Sequence, residues 1–536
     1  MNYAKHMTST QREPLPGQVP NSAGGFTFPV DDWTQLDRFL ILGAEGGSYY
    51  ASERELTKAN AAAVQRCIDA DGGRAVARIV EISDAGRAPK NDPALFALAL
   101  AAKCGNFETR RAAFAAVTRV ARIGTHLFHF AEYVNALGGW GRGTMGAFAR
   151  WYGEMPTFRL AEQAIKYQQR DGWAHRDLLR KAHPKTTDET RNAIFNWMVK
   201  GWPSVGPEPH PDAALSKIWA FEKAKTARGA ELVRLIEEYR LPHECVPNEA
   251  KGDPNVWAAM LPSMGLTALI RNLGKMTAVD LIAPLSAAGR AVADRLADAD
   301  AIKAARVHPL QILVALSIYA RGAGEKGSLT WTPAQAVVTA LDDAFYLAFK
   351  AVEPTGKRTL LALDISGSMD NSAIAGMPGI SPRVGSAAMA LITANVETDH
   401  AFVGFTSSTG QHNISERGIS QLSISPRQRL DDVVRYTAQL PMGGTDCSLP
   451  MMWATLTKTP VDTFVIYTDS ETWAGNVQPV DALREYRQKT GIPAKMIVVG
   501  MVSNGFTLAD PRDGGMLDVV GFDTAAPAVM ADFARA

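Results

Sequence analysis

Thr359-Leu360-Leu361-Ala362-Leu363-Asp364-Ile365-Ser366-Gly367-Ser368 decides how the last third of this 536-residue chain folds. An apolar, β-prone run stops on an aspartate and enters a short polar turn. Downstream, HAFVGF (400–405), DTFVIYTD (462–469) and AKMIVVG (494–500) repeat the apolar theme. They alternate with helical stretches at Pro382 to Glu397, Pro426 to Leu440, Leu449 to Thr457 and Pro479 to Thr490. Such alternation predicts a parallel, doubly wound (Rossmann-like) α/β sheet, whose ligands bind beyond the carboxyl ends of its strands. Three polar clusters fall at that edge: Asp364 to Ser368, Gly443-Gly444-Thr445-Asp446 and Thr468-Asp469-Ser470. Asp364, Ser366, Ser368, Thr445 and Asp469 together offer oxygen without nitrogen or sulfur, a donor set for a hard divalent cation: Mg²⁺ foremost, or Ca²⁺ or Mn²⁺, with zinc disfavoured. The other reading of DISGS is a strand-to-helix turn with an N-cap serine. Neither serine lies in G-x-S-x-G or has a histidine placed as partner, which argues against a hydrolase.

Working upstream, the grammar changes at Val352-Glu353-Pro354-Thr355-Gly356-Lys357, a linker. From Trp33 to Lys350 the pattern is almost wholly helical, with AAAVQRCI, PALFALALAAKC, TRRAAFAAVTRVARI and PLQILVALSIYA among its segments. Helices of this length joined by short turns suit a solenoid better than one bundle. Three parts are expected: a flexible arm or extended strand over 1–30, a helical domain over 31–355, and the α/β domain over 356–536. With 46% hydrophobic and 21% charged residues the chain is an ordinary folded protein. No apolar stretch is long enough to span a membrane, and no leader is visible. Cys67, Cys104, Cys245 and Cys447 are widely separated and read as reduced core thiols, so a cytoplasmic location is expected. Gly274-Lys275-Met276 echoes a phosphate loop but lacks its Ser/Thr and its first glycine.

The formal charge of +1 hides a division: residues up to 355 carry a net +5 and the remainder −4. The most basic window is Phe158 to Lys185, FRLAEQAIKYQQRDGWAHRDLLRKAHPK. On a continuous helix Arg159, Glu162, Lys166 and Arg170 form one stripe opposite Leu160, Ala161, Ala164 and Ile165. On the next helix Arg176, Arg180 and His183 lie opposite Leu178, Leu179 and Ala182, and His175 leans to the apolar side. Two adjoining cationic faces suit a phosphate backbone, although a basic stripe can also merely solvate a helix. Arg110, Arg111, Arg119 and Arg122 add charge upstream. His126, His129, Trp140 and Arg142 lie in THLFHFAEYVNALGGWGRG, where they serve either as base-stacking contacts or as core.

The cation cluster resembles the metal-ion-dependent adhesion site of von Willebrand factor A domains, DxSxS followed by a Thr and an Asp. That resemblance implies direct coordination by Ser366, Ser368 and Thr445, participation of Asp364 and Asp469 directly or through water, and one open position. The whole chain, in turn, resembles the Ro autoantigen family, as a bacterial relative with a TROVE module. The residues that carry the likeness are Asp37-Arg38-Phe39-Leu40-Ile41-Leu42-Gly43 with EGGSYYASE after it, GGWGRG, KYQQRDGWAHRDLLRKAH, LTALIRNLGKMTA, RVHPLQILVAL and KAVEPTGKRTLLALDISGSM. The resemblance implies a ring of HEAT-like helical repeats whose ends are clasped by the von Willebrand A domain. It implies a non-catalytic RNA-binding protein acting in RNA quality control, maturation or decay. Y RNA would lie on the basic outer surface, and single-stranded ends of misfolded or precursor RNA in the hole. Carried over by position, the Y RNA contacts fall on Lys166, Arg170 and His183. A 3′ exoribonuclease such as polynucleotide phosphorylase is the implied collaborator, the chain itself being a monomer without a membrane partner. Animal members tend to have Ala between the two serines, whereas this chain has Gly367 and the complete set. The rival reading is a metal-dependent protein-binding scaffold whose cation captures a partner carboxylate. A metal-dependent nuclease calls for paired carboxylates around the ion, where this sequence offers three hydroxyls beside Asp364 and Asp469.

Overall fold

The computed structural model describes residues 10–44, 53–202, 208–325, 327–349, 352–370, 373–377, 379–407, 418–440 and 443–536. Residues 1–9 of the expected arm and 45–52, most of the EGGSYYASE motif, lie outside the described residues.

Its strands, in chain order, are β1 (Val19–Pro20), β2 (Phe26–Pro29), β3 (Gln169–Arg170), β4 (Trp173–Ala174), β5 (Thr359–Asp364), β6 (His400–Phe405), β7 (Ile419–Gln421), β8 (Thr463–Thr468), β9 (Lys495–Gly500), β10 (Phe506–Thr507) and β11 (Met516–Val520). The main sheet has six strands in the order β11-β9-β8-β5-β6-β7, parallel except for β7 at one edge. The apolar runs are unbroken because both faces are covered. Leu361, Leu363, Val465, Tyr467, Ile497 and Val499 share a core with Pro382–Val396, whereas Leu360, Ala362, Phe464, Ile466, Met496 and Val498 pack with Leu449–Thr457 and Pro479–Thr490. After β5 the chain moves to β6, then crosses back to β8 on the other side of β5. The β5/β8 edge is therefore the switch point where such sheets bind ligands.

The helical domain begins at Asp32–Leu42, capped by Asp31, and ends with Gln335–Leu347. Helices pack mostly on the next, next-but-one or third along the chain, as in stacked helical repeats. The array closes on itself. Gln311 Nε2, from helix Pro309–Arg321, donates to Pro89 O (2.6 Å), and His308 Nε2 donates to Arg87 O (3.1 Å). The α/β domain holds both ends of this closure: Arg87 pairs with Asp523 (Nε to Oδ1 2.9 Å), and Asp342 accepts from Leu430 N (2.8 Å). A ring clasped by the second domain is what these contacts build.

Three expectations need correction. Of the two readings of residues 10–30, the extended strand holds and the flexible arm does not: β1 pairs with β2, and β2 pairs with β10 in the α/β domain, so the segment is strapped across that domain. The helix carrying Lys166 stops there, and Arg170 sits on β3 of a tight β3–β4 hairpin instead of on a continuous helical stripe. Asp171 (φ 53°) and Gly172 (φ 79°) form its two-residue turn, the Asp-Gly pair that left-handed hairpin turns select. Finally, Cys104 is exposed, while Cys67, Cys245 and Cys447 are buried; all four are free. Among the described residues no helix is long and apolar enough to cross a membrane.

Candidate cation site and nucleic-acid interface

Asp364 is the last residue of β5, and Asp469 directly follows β8, so the switch point itself brings the two carboxylates together. The structure also gathers Ser366, Ser368 and Thr445 here, all buried like the aspartates. Asp364 Oδ1 accepts from Ser366 N (2.9 Å) and its Oδ2 from Thr468 Oγ1 (2.7 Å), while the Ser366 and Ser368 hydroxyls lie 3.1 Å apart. Gly367 N donates to Gly443 O (3.0 Å), which ties the serine turn to the threonine turn. Asp469 Oδ1 accepts from Glu471 N (3.0 Å), and Asp469 O accepts from Asn504 Nδ2 (2.7 Å).

Burial raises the Asp364 carboxyl, opposed by bonds from Ser366 and Thr468 and by the Arg383 charge. Burial, with the charges of Asp364 and Glu471 beside it, pushes Asp469 up to about 8. Two buried carboxylates that resist ionising together form a site short of positive charge. Arg383, whose charge acts on Asp364, is occupied with Ile365 O (2.8 Å) and Leu440 O (2.6 Å). Two carboxylates and three hydroxyls therefore fit a hard divalent cation, which would let both aspartates ionise. Among the described residues no three His, Cys, Asp or Glu side chains come together as a metal cluster, and the donor set here is two carboxylates with three hydroxyls. Arg383, Glu471 and Asn504 escaped the sequence reading because nothing in their spacing marks them.

The basic window divides into outward and inward groups. Arg159, Arg170, Arg176, Arg180 and His183 are exposed, as is Arg142 at the start of helix Arg142–Glu154. His183 caps helix His175–Ala182 in a left-handed conformation (φ 44°). Arg170 and Arg176 lie 3.6 Å and 3.8 Å from Asp171 and Asp177, beyond hydrogen-bond distance. Arg142, Arg159 and Arg180 have no acidic partner among the described residues. Lys166 differs: half-buried, it lies 3.5 Å from Glu244 and over the Tyr167 ring. Burial opposes its charge, but Tyr167 and Glu244 outweigh that and raise its pKa. Glu162 of the expected stripe is taken by buried Lys217.

The histidines are largely committed inward. His129 is bonded to Asp171 and lies 3.6 Å from Asp92, which locks the hairpin turn onto helix Gly124–Ala136. Burial, then Arg122, pushes His126 down to about 3, and its Nδ1 faces Asn91 at 3.4 Å. His175 is buried against Tyr152 OH (2.7 Å). Of the upstream arginines, Arg119 and Arg111 pair with Asp84 (2.5 Å) and Glu108 (2.8 Å), Arg122 lies 4.0 Å from Asp84, and exposed Arg110 bonds Ala102 O (3.4 Å). Lys181 lies over the rings of Trp140 (5.2 Å) and Trp173 (5.9 Å), extending the outward face with a cation–π pair that sequence reading did not single out.

Comparison with known proteins agrees with both halves. The TROVE domain model matches residues 19–205 and 242–318, and the Ro60 vWA domain model matches residues 358–534. The chain is 44% identical to "RNA-binding protein RO60" of Deinococcus radiodurans across 97% of this chain and 95% of that protein. Its identity to the protein of the same name from Caenorhabditis elegans is 34%, across 96% and 90% of the two chains. The crystal structure of the Deinococcus radiodurans RO (RSR) protein superposes with a TM-score of 0.70 at 44% identity, covering 94% of this chain and 99% of that one.

Proposed function

The chain belongs to the Ro60 family, and from that premise we propose that it is an RNA-binding protein with no bond-breaking chemistry of its own. The observation that carries this reading is the group of outward arginines, Arg159, Arg170, Arg176 and Arg180, on two helices and the hairpin between them, with no acid within hydrogen-bond distance. Arg159 and Arg180 have no acidic partner among the described residues, and Arg170 and Arg176 have only long, exposed ion pairs to their chain neighbours Asp171 and Asp177, so phosphates can engage all four at little cost. A structured RNA such as a Y RNA is the ligand of this face, and single-stranded RNA ends enter the hole of the ring. A 3′ exoribonuclease would then act on RNA that the ring presents. The switch-point site holds Mg²⁺, with Ca²⁺ or Mn²⁺ as fitting substitutes, and offers its open position to a carboxylate of a protein partner. The shortage of positive charge around Asp364 and Asp469 supports that assignment.

If about six phosphates are neutralised, log K should fall with log salt at a slope near −4 to −5. Replacing Arg170, Arg176 and Arg180 together with Ala should weaken binding and flatten the slope by about 2 to 3, at 0.7 to 0.9 per contact. Lys166→Ala should do less than Arg170→Ala, because Glu244 already holds its charge. Filter binding across a salt series measures both, and labelled RNA should stay intact in the same mixtures with Mg²⁺. A flat salt dependence, or a triple variant that binds like wild type, would overturn the reading.

A further inference from the structure

The strap over residues 10–29 does more than cross the α/β domain; its side chains enter the two loops that carry the candidate cation ligands. Gln11 is fully buried. Its amide nitrogen donates to Asp446 Oδ1 (2.7 Å) and Val477 O (2.8 Å), and its amide oxygen accepts from Thr472 Oγ1 (2.6 Å) and Gly475 N (3.2 Å). All four hydrogen-bonding valences of one glutamine are thus spent on joining the loop after Thr445 to the loop after Asp469. Thr445 O in turn accepts from Trp473 N (3.1 Å) and Ala474 N (2.9 Å), which ties the two loops together directly.

A second contact lies ten residues on. Asn21 Nδ2 donates to Thr472 O (2.8 Å), and Ser22 N donates to Glu471 Oε2 (2.8 Å). Glu471 N is the group bonded to Asp469 Oδ1, so the strap reaches an aspartate of the cation site through one residue. The fit is tight: a Cβ added at Gly25 would stand 2.0 Å from Thr472 O and 2.9 Å from Trp473 Cα, backbone atoms that cannot swing aside. Beyond Asp469, Asn504 bonds its carbonyl and is itself held by Arg38 of the first ring helix (Nη1 to Asn504 O 2.9 Å). The cation site is therefore attached to the first 38 residues by three hydrogen-bonded routes, through Gln11, through Asn21 and Ser22, and through Arg38.

We propose that the amino-terminal strap is a positioning element of the cation site, with Gln11 and the Gly25 turn setting the spacing of Thr445 and Asp469, so that cation binding and strap docking reinforce each other. This rests on the cation reading given above. Groups bonded directly to metal ligands typically govern about 10- to 100-fold in affinity; the strap acts through one intervening residue, which sets about 10-fold as its upper range, and linkage requires that a cation favour the docked strap by the same factor that the strap favours the cation.

The test uses the full chain and Mn²⁺ as probe, with affinity read by electron paramagnetic resonance of the free ion. Gln11→Ala and Gly25→Ala, which disturb different contacts, should each weaken Mn²⁺ binding by about 3- to 10-fold while leaving the melting profile of the helical domain in place. Hydrogen exchange over residues 10–29 should slow on adding Mg²⁺ to wild type and not to Asp469→Ala. Wild-type affinity in both folded strap variants, or strap exchange indifferent to Mg²⁺ in a protein that binds Mn²⁺, would overturn the proposal alone. A wild type that binds Mn²⁺ no better than Asp469→Ala would overturn the cation reading and the proposal with it.

Discussion

Arg38 should be the costliest single side chain to remove from the clasp between the ring and the α/β domain. It is wholly buried at the end of β9, and its guanidinium lies against Gly500, where a Cβ would approach Nη2 to 3.1 Å. Nη2 forms a forked pair with Asp518 (2.7 and 2.8 Å), and Nη1 serves Asn504 O (2.9 Å) and Phe506 O (2.8 Å). Arg38→Met keeps most of the stem's volume and strips away every one of these donors. Asp518, with a side chain only 13% exposed, is left as a nearly buried anion, a loss of about 3–5 kcal/mol when one partner of a buried pair is removed. Arg38→Lys should fare little better, since one ammonium cannot reproduce the planar fork. The assay is urea unfolding followed by tryptophan fluorescence, read at the first transition because a chain of this size need not unfold in one step. Adding Asp518→Leu to Arg38→Met should recover much of the loss, because the stranded charge, more than the missing bonds, carries the penalty. A single variant within about 0.5 kcal/mol of wild type, the ordinary range for inconsequential surface changes, would refute the clasp argument. So would a double variant no more stable than the single.

Two further outcomes separate the domains. Asp364→Ala should abolish Mn²⁺ binding while leaving RNA affinity within about twofold, less than 0.5 kcal/mol, because the outward arginines belong to the other domain; an equal collapse in filter binding would refute this division of labour. Burial holds His175 and His308 neutral, each pushed down to about 4 from an ordinary 6.5. Below 6.5 the unfolded chain takes up protons that the folded one refuses, so this stability is complete above about 6.5 and is lost as pH falls toward 4, by up to about 3 kcal/mol per histidine. Urea midpoints at pH 7 and pH 5 should differ in that sense, and by less in His308→Gln; equal midpoints would refute it.

How far the sequence could be read depended on whether a residue's partner was near it in a repeating pattern. The strands β5, β6, β8 and β9 were legible because a strand buried on both faces must be a run of apolar residues, and their alternation with helices fixed where Asp364 and Asp469 would meet. The helical array was legible through its period, but that same period misled at Arg170. Periodicity carried the helix past Lys166, although Asp171-Gly172 was a turn signal of equal local strength. Packing decided between them, since His129 clamps Asp171. The strap was illegible for a different reason: strands of two and four residues have no period to detect, and Gln11, Asn21 and Gly25 are held by partners about 450 residues away. Arg38 lies between these cases. A lone arginine in DRFLILGA, beside residues that are nearly all buried, cannot be satisfied by its own helix. A buried charge demands a buried counter-charge. The burial of Arg38, and with it the need for an acidic partner, shows only in the structure, where the ring's closure onto the second domain brings it to Asp518.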